Sequence, residues 1–418
     1  KIKDVKDGDK ILKTNNFFEE IPQVISNLDN SYIYLQGPPG TGKTTQAANA
    51  IVELIKKGKK IAITANSHKV IHNLIEKVEN TAVKKEVKFK GLKAGRANDV
   101  DTVYNGKFVT TSSRDTDFIF GVKDKTTSLF AGTKYHLSNG YYDSKLDYLF
   151  IDEAGQVSVA DLIVLGQIAK NIVLIGDQLQ LGQPTRGAHP GLSGKSILDF
   201  LLGDLDTIPE DKGIFLNRTY RLHSKINEFI SESFYEGRLI TDEQTENKKI
   251  LSDNKNFKNN GIYYLDISHE ENTQTSEEEC KEIKKIVNSL IGQDYYDGKQ
   301  TRKLTIEDIL IISPYNAQVN AISFTLKNKK ARIGTIDKFQ GQEAPVTLIS
   351  MTSSDPESLP RNKEFFFSRN RLNVAISRAQ CISIILFNSN LLKFMPTSVE
   401  QVKLINNFIK LKNLYKFN

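Results

Sequence analysis

The sequence predicts an α/β fold of two doubly wound parallel-sheet domains in tandem. Three observations carry this. Short, nearly all-apolar, β-branched runs recur along the chain, amphipathic helical stretches lie between them, and 418 residues exceed what one core usually organises. Central strands of a parallel sheet are covered on both faces, so they read as continuous apolar runs with no alternation.

In chain order, the buried-strand candidates are "YIYL" (32–35), "KIAIT" (60–64), "YLFID" (148–152), "NIVLIG" (171–176), "ILIIS" (309–313), "VTLISM" (346–351) and "ISIILF" (382–387). Helices are expected in "TTQAANAIVELIKKG", "SHKVIHNLIEKVEN" and "SEEECKEIKKIVNSLIG". The last opens with a capping-box signature, Ser276 as N-cap and Glu279 three residues on. The first strand group ends near "GDQLQL" (176–181), and the Gly/Asp/Pro-punctuated stretch 191–213 reads as a crossing region. We therefore expect domains at 1–208 and 209–418, with a small insertion at about 81–130 in the first. The polar tracts 241–260 and 292–303 read as surface loops, and no internal repeat is evident.

A formal net charge of +7, from 57 basic and 50 acidic residues, is compatible with a polyanionic partner but describes a mixed surface. Cys280 and Cys381 are the only cysteines, giving neither a disulfide framework nor a zinc pattern. Two isolated thiols suit a reducing compartment. No apolar run approaches the roughly 18 residues that span a bilayer, and no secretory leader pattern is present. Membrane association is not expected, and a cytoplasmic location is. The chain begins at Lys1 without methionine and reads as a fragment or processed form.

"GPPGTGKT" matches the phosphate-loop pattern G-x-x-x-x-G-K-[ST] between a strand and a helix, the context that gives such a match meaning. Gly37, Pro38, Pro39, Gly40, Thr41 and Gly42 would shape a loop whose backbone N–H groups converge on phosphate oxygens, with Thr45 at the helix start. Lys43 would neutralise the outer phosphates of ATP, and the Thr44 hydroxyl would ligate Mg²⁺. "LDYLFIDEAGQ" ends an apolar run in Asp152 and Glu153, two carboxylates at the carboxyl edge of a sheet. Asp152 suits the metal, and Glu153 suits a base that orients and deprotonates water. Together they indicate a nucleoside triphosphatase.

A motor needs a second body that senses the outer phosphate, and arginine is the expected device because its guanidinium stabilises developing phosphoryl charge. Arg221 and Arg378 are candidates, but Arg218 and Arg371 lie too near for spacing alone to decide.

The ordered blocks "GPPGTGKT", "IAITANSHKVIHNLIEKV", "LFAGT", "DEAGQ", "GDQLQL", "NRTYRLHSKI", "SPYNAQV", "GTIDKFQGQEAPVTLISMT" and "RLNVAISRA" resemble superfamily 1 helicases. They look like the 5′-to-3′ branch that includes the RNA-surveillance and Okazaki-fragment-processing helicases. "TANSHKVIHNLIEKV", "DYLFIDEAGQVSVADL", "QPTRGAHP" and "FFFSRNRLNVAISRAQC" are similar to the helicase half of bacterial proteins that fuse a RecB-like nuclease to this motor. The resemblance runs from about residue 31 to 388 and implies two RecA-like domains. It also implies that Arg221 and Arg378 are the arginine fingers and that Gln180 senses the outer phosphate. Tyr220 would stack on adenine and Glu343 would contact the ribose. Gln23 is the upstream candidate for base recognition, at a shorter spacing than the family pattern.

The same resemblance assigns nucleic-acid contacts to Thr64, Asn66, Ser67, His68 and Thr133 in the first domain, and to Ser313, Pro314, Tyr315 and Thr335 in the second. Hydroxyls and amides at strand ends suit backbone phosphates, which position a strand without reading its sequence. Helix N-caps are the plain alternative for the Ser and Thr residues, and a surface histidine for His68. No nuclease carboxylate–lysine constellation is visible, so such a module would lie outside these residues or on another chain. The expected function is an ATP- and Mg²⁺-dependent motor moving 5′ to 3′ on single-stranded nucleic acid, DNA ahead of RNA. An RNA helicase, or an ATP-switched clamp that recruits a nuclease, are the alternatives.

Overall fold

The computed structural model describes residues 1–414 except 15, 183–189, 252–256, 258, 340, 361 and 362, and of residue 400 the backbone alone. The "QPTRGAHP" block falls almost wholly outside the described residues. The chain forms two compact units, Lys1–Gln178 with Gly182–Leu216, and Leu179–Leu181 with Asn217–Asn418.

Unit 1 is built on β1 (Tyr32–Gln36), β2 (Ile61–Thr64), β3 (Lys90–Ala94), β4 (Val109–Ser112), β5 (Thr127–Ala131), β6 (Leu146–Ile151), β7 (Ala169–Gly176) and β8 (Gly213–Phe215). They form one eight-stranded sheet in the order β4-β3-β5-β2-β6-β7-β1-β8. Every neighbouring pair is parallel. Chain-consecutive β1 and β2 are thus separated by β6 and β7, and the crevice outside the strands' carboxyl ends is where such sheets bind ligands. α1 (Phe17–Ser26), α2 (Lys43–Lys56) and α3 (His68–Lys84) pack on this sheet. The α2 face is Ala47, Ala48, Ala50, Ile51 and Leu54, all buried; its small residues let the helix approach closely.

Two expectations change here. The 81–130 stretch, expected as a small insertion, supplies β3, β4 and most of β5, which lie together at one side of the sheet. And β8 pairs in register with β1, Leu35 opposite Ile214, so the first unit continues to Leu216 and not to 208.

Unit 2 carries β9 (Arg218–Thr219), β10 (Ile240–Thr241), β11 (Lys249–Leu251), β12 (Gly261–Asp266), β13 (Asp294–Tyr296), β14 (Thr301–Lys303), β15 (Ile309–Ile312), β16 (Arg332–Gly334), β17 (Ala344–Ser350) and β18 (Ala379–Phe387). Its main sheet is five-stranded in the order β12-β18-β17-β15-β16. All its pairs are parallel. The tracts expected as loops are structured in part: β13 and β14 form an antiparallel hairpin that β11 joins, and β10 pairs with β9. Short polar strands such as "TRK" carry no apolar period, which is why the sequence hides them.

Ser276 does cap the helix Glu277–Leu290, accepting the Glu279 N–H at 3.1 Å. The reciprocal half of the capping box is missing. The Glu279 side chain is fully buried and turns inward instead. It accepts from the Thr352 N–H at 2.9 Å and the Ser350 hydroxyl, and meets His269 Nε2 at 3.2 Å. This ties the helix to the end of β17, where Thr352 has φ of 72°, a left-handed conformation costly for a β-branched residue.

Candidate functional site

In unit 1 the phosphate loop leaves β1 anchored by the Gly37 N–H on the Gly176 carbonyl of β7, 2.9 Å away. Gly40 and Gly42 have φ of 75° and 79°, open to glycine without strain. Gly37 is required for space. A Cβ there would lie 2.1 Å from Lys43 Cγ and 2.9 Å from Thr41 Oγ1. The Lys43 ammonium donates to the Gly37 carbonyl at 2.6 Å, and the Thr41 hydroxyl to the Pro38 carbonyl at 2.8 Å. The side chain that would meet the phosphates is therefore folded over the loop that would hold them.

Asp152 and Glu153 follow β6, which β7 alone separates from β1, so the two motifs sit about 10 Å apart along the sheet. Asp152 is 4% exposed. Burial, and then the neighbouring Glu153, push its carboxyl up to about 7, with Lys43 opposing. Glu153 has φ of 52° and its N–H donates to Asp152 Oδ1 at 2.9 Å. A buried Asp152 with the half-buried Glu153 next to it, beside one lysine, fits a divalent cation electrostatically. Among the described residues no group of three or more His, Cys, Asp or Glu could hold a metal alone. A Mg²⁺ here would take Thr44 and Asp152, with phosphate and water oxygens completing its shell.

Farther along the same carboxyl edge lie the residues expected to meet a strand. Asn66 and Ser67, after β2, are exposed. Asn66 Nδ2 reaches Gln156 Oε1 at 3.3 Å, and Ser67 caps α3, accepting the Val70 N–H at 3.3 Å. His68 is half-buried with Nδ1 2.9 Å from Lys93 Nζ, and Thr133 precedes the helix Lys134–Leu137 after β5. Thr64 does not fit its expected role, because its hydroxyl is buried and has no partner among the described residues. Gln23 does not fit either. It lines a cavity of about 220 Å³ with Glu53 and Lys57, at the far end of α2 from the phosphate loop. The helix rise alone puts Glu53 about 15 Å from Lys43.

In unit 2, Arg221 pairs through Nε with Glu343, which also accepts from Gln380 Nε2 at 2.7 Å. Burial opposes its ionisation, but Arg221 prevails and holds Glu343 below its ordinary value. Arg378 is 3% exposed, with Nη1 3.3 Å from the Gln342 carbonyl. Arg218 and Arg371 have carboxylate partners of their own, Asp242 at 3.5 Å and Asp337 at 3.3 Å. Tyr220 is exposed, so its ring face is available. Gln180 belongs to this unit: Asn370 and Asn373, three apart on the helix Arg369–Ile376, donate to the carbonyls of Gln180 and Leu179 at 2.7 and 2.9 Å. These asparagines were missed by the sequence reading, since an i, i+3 pair inside "RNRLNVAI" looks like ordinary helix surface.

Pro314 and Thr335 are half-buried at the carboxyl ends of β15 and β16. Ser313 is buried and bonded to Thr352 across 3.2 Å, so its hydroxyl does not reach the surface. Tyr315 is 5% exposed and stacked on Phe366 at 6.4 Å between ring centres. As folded, its ring faces the interior and not a base.

Two family models match, each described as an AAA domain, one over residues 21–192 and one over 196–390. The DNA polymerase alpha-associated DNA helicase A of Schizosaccharomyces pombe is 25% identical over 415 residues, covering 86% of this chain and 61% of its own. The DNA replication ATP-dependent helicase/nuclease dna2 of the same organism is 26% identical over 394 residues, covering 86% and 26%. The regulator of nonsense transcripts 1 homolog of Arabidopsis thaliana is 25% identical over 431 residues, covering 90% and 33%. The chain thus spans less than two thirds of each of these relatives. The chain is thus similar to AAA domain models in both units and, across most of its length, to proteins named as helicases.

Proposed function

We propose that this protein is an ATP-dependent helicase or translocase moving 5′ to 3′ on single-stranded nucleic acid, DNA in preference to RNA. One observation carries the reading most: the phosphate loop, the Asp152–Glu153 pair and the strand-suited residues of the first unit, Asn66, Ser67, His68 and Thr133, share one carboxyl edge of one parallel sheet. Nucleotide state and strand grip are thereby tied to the same rigid element.

In this reading the glycine loop and Lys43 hold the outer phosphates, and Thr44 and Asp152 hold Mg²⁺, which supplies charge neutralisation when bound. Glu153 orients water and takes its proton. Arg221 and Arg378 stabilise the charge that develops on phosphoryl transfer, and Gln180 reports it to the strand side. Tyr220 and Glu343 take the base and ribose. Asn66, Ser67, His68, Thr133, Pro314 and Thr335 contact the strand backbone. The named DNA helicases among the relatives support DNA, and the relative named helicase/nuclease supports a nuclease module on the same or another chain as partner. Free, buried Cys280 and Cys381 support a reducing, cytoplasmic setting.

The test is displacement of streptavidin from oligonucleotides biotinylated at either end, as DNA and as RNA, with Lys43→Ala as the blank. Clearance from the 3′ end of DNA alone is expected. Clearance from the 5′ end would reverse the polarity, and better clearance from RNA would reverse the sugar preference. Strand-stimulated ATP turnover without clearance from either end would favour the ATP-switched clamp.

A further inference from the structure

Lys93, on β3, is the most anomalous charge in unit 1. It is fully buried, and it forms no ion pair among the described residues. Burying an ammonium without a carboxylate is costly, so its surroundings need an explanation. Its ammonium donates to the Thr102 carbonyl and to His68 Nδ1, 2.9 Å away. Since an ammonium can only donate, Nδ1 must accept, and the His68 proton sits on Nε2. Nε2 has no partner within the described residues and is not among the buried unpaired atoms.

Thr102 does a second thing. Its hydroxyl accepts the Arg96 N–H at 2.8 Å and donates back to the Arg96 and Asp99 carbonyls. The 95–102 loop, stitched through Thr102, is thus held at the exit of β3 by the same buried cation. Arg96 itself is exposed and has no ion pair among the described residues. β3 lies beside β5, and β5 beside β2, so this exit continues the line from Asn66 and Thr133 along the carboxyl edge.

We propose that the exit of β3 is a further backbone-phosphate site on the strand-binding edge, contacted by Arg96 and by His68 Nε2–H, with Lys93 as the positioning residue for both. Lys93 acts through them and does not itself reach the strand. This inference rests on the single-strand reading above. Burial pulls the Lys93 ammonium down to about 8, with Asp99 opposing; His68 and His72 of α3, and His136 after β5, are the other titratable groups facing it. The Lys93 charge that supports strand binding is therefore lost as pH rises from 7 to 9.

The experiment is fluorescence anisotropy of a labelled single-stranded oligonucleotide across salt and pH, on wild type, Arg96→Ala, Lys93→Met and the control Lys90→Ala at the other end of β3. Arg96→Ala should weaken binding roughly five- to ten-fold and lower the log–log salt slope by about 0.7, one single-strand phosphate contact. Lys93→Met should weaken it similarly and abolish the loss of affinity between pH 7 and 9, with Lys90→Ala unchanged. Wild-type affinity and slope in Arg96→Ala, which alters only an exposed side chain, would overturn the site. An unchanged pH profile in a folded Lys93→Met would overturn the role of Lys93. If wild type binds no single strand, the functional reading itself fails.

Discussion

Replacing Gly37 with alanine isolates the geometry of the phosphate loop from its stability. The φ at Gly37 lies outside the positive range, so alanine suits the backbone. Its methyl would lie 2.1 Å from Lys43 Cγ and 2.6 Å from Cδ, where carbon atoms ordinarily keep about 3.5–4.0 Å. These atoms are the base of the lysine stem, not its swinging tip, so the stem must retreat by roughly 1.5 Å. Thr41 Oγ1, at 2.9 Å, blocks a compensating shift of the loop. A misplacement near 1 Å at a reacting group costs about 100-fold in rate. Gly37→Ala should therefore lower kcat for ATP by about 100-fold while stability changes by less than about 1 kcal/mol. Steady-state ATP turnover and thermal melting followed by circular dichroism measure the two. Turnover near wild type would show that Lys43 does not work from the position it occupies here.

Other substitutions separate the remaining roles. Glu153→Gln should slow turnover by about 10²–10⁴ and accumulate an ATP-bound, strand-retaining state, read by filter binding; normal turnover would remove Glu153 as the base. Arg378→Ala should reduce turnover by about 10³ with far less effect on ATP affinity, and an unchanged rate would end its finger role. Glu279→Ala leaves the Thr352 N–H and the Ser350 hydroxyl without their acceptor in a dry interior, and should destabilise unit 2 by about 2–5 kcal/mol in urea melts; a loss under about 1 kcal/mol would mean the site rehydrates. Asp308 gives a pH test. Burial would raise its carboxyl, but two Arg302 bonds of 2.6 and 2.7 Å, with Thr305, prevail and hold it low. A carboxyl depressed by folding adds stability above its unfolded value near 3.9, and that stability is lost as pH falls through its folded value. Asp308→Asn should be less stable by about 1 kcal/mol at pH 6 and converge with wild type as pH drops; parallel curves would refute the pairing.

The parallel strands were legible because burial on both faces writes them as unbroken apolar runs. "NIVLIG" and "ISIILF" are recognisable with no knowledge of their neighbours. β3, with Lys93 in its middle, and the polar hairpin of β13 and β14 are not, since their pairing is decided by partners distant in sequence. The phosphate loop and "DE" pair were legible for another reason: their chemistry needs particular residues at fixed spacing beside a strand end. Roles of single hydroxyls were not. Thr64, Ser313 and Tyr315 sit at the expected strand ends, yet side-chain direction and packing turn all three inward. Glu279 shows the same limit. Its spacing from Ser276 is that of a capping box, but a buried histidine and the strained Thr352 compete for the carboxylate and win.

The most direct measurement is the ATP turnover rate alone and with single-stranded DNA, single-stranded RNA or duplex DNA, with Lys43→Ala as the blank. Stimulation by single strands, most by DNA, and little by duplex, is expected. A rate indifferent to all three would contradict it, and would mean that the phosphate loop powers something other than movement on a strand.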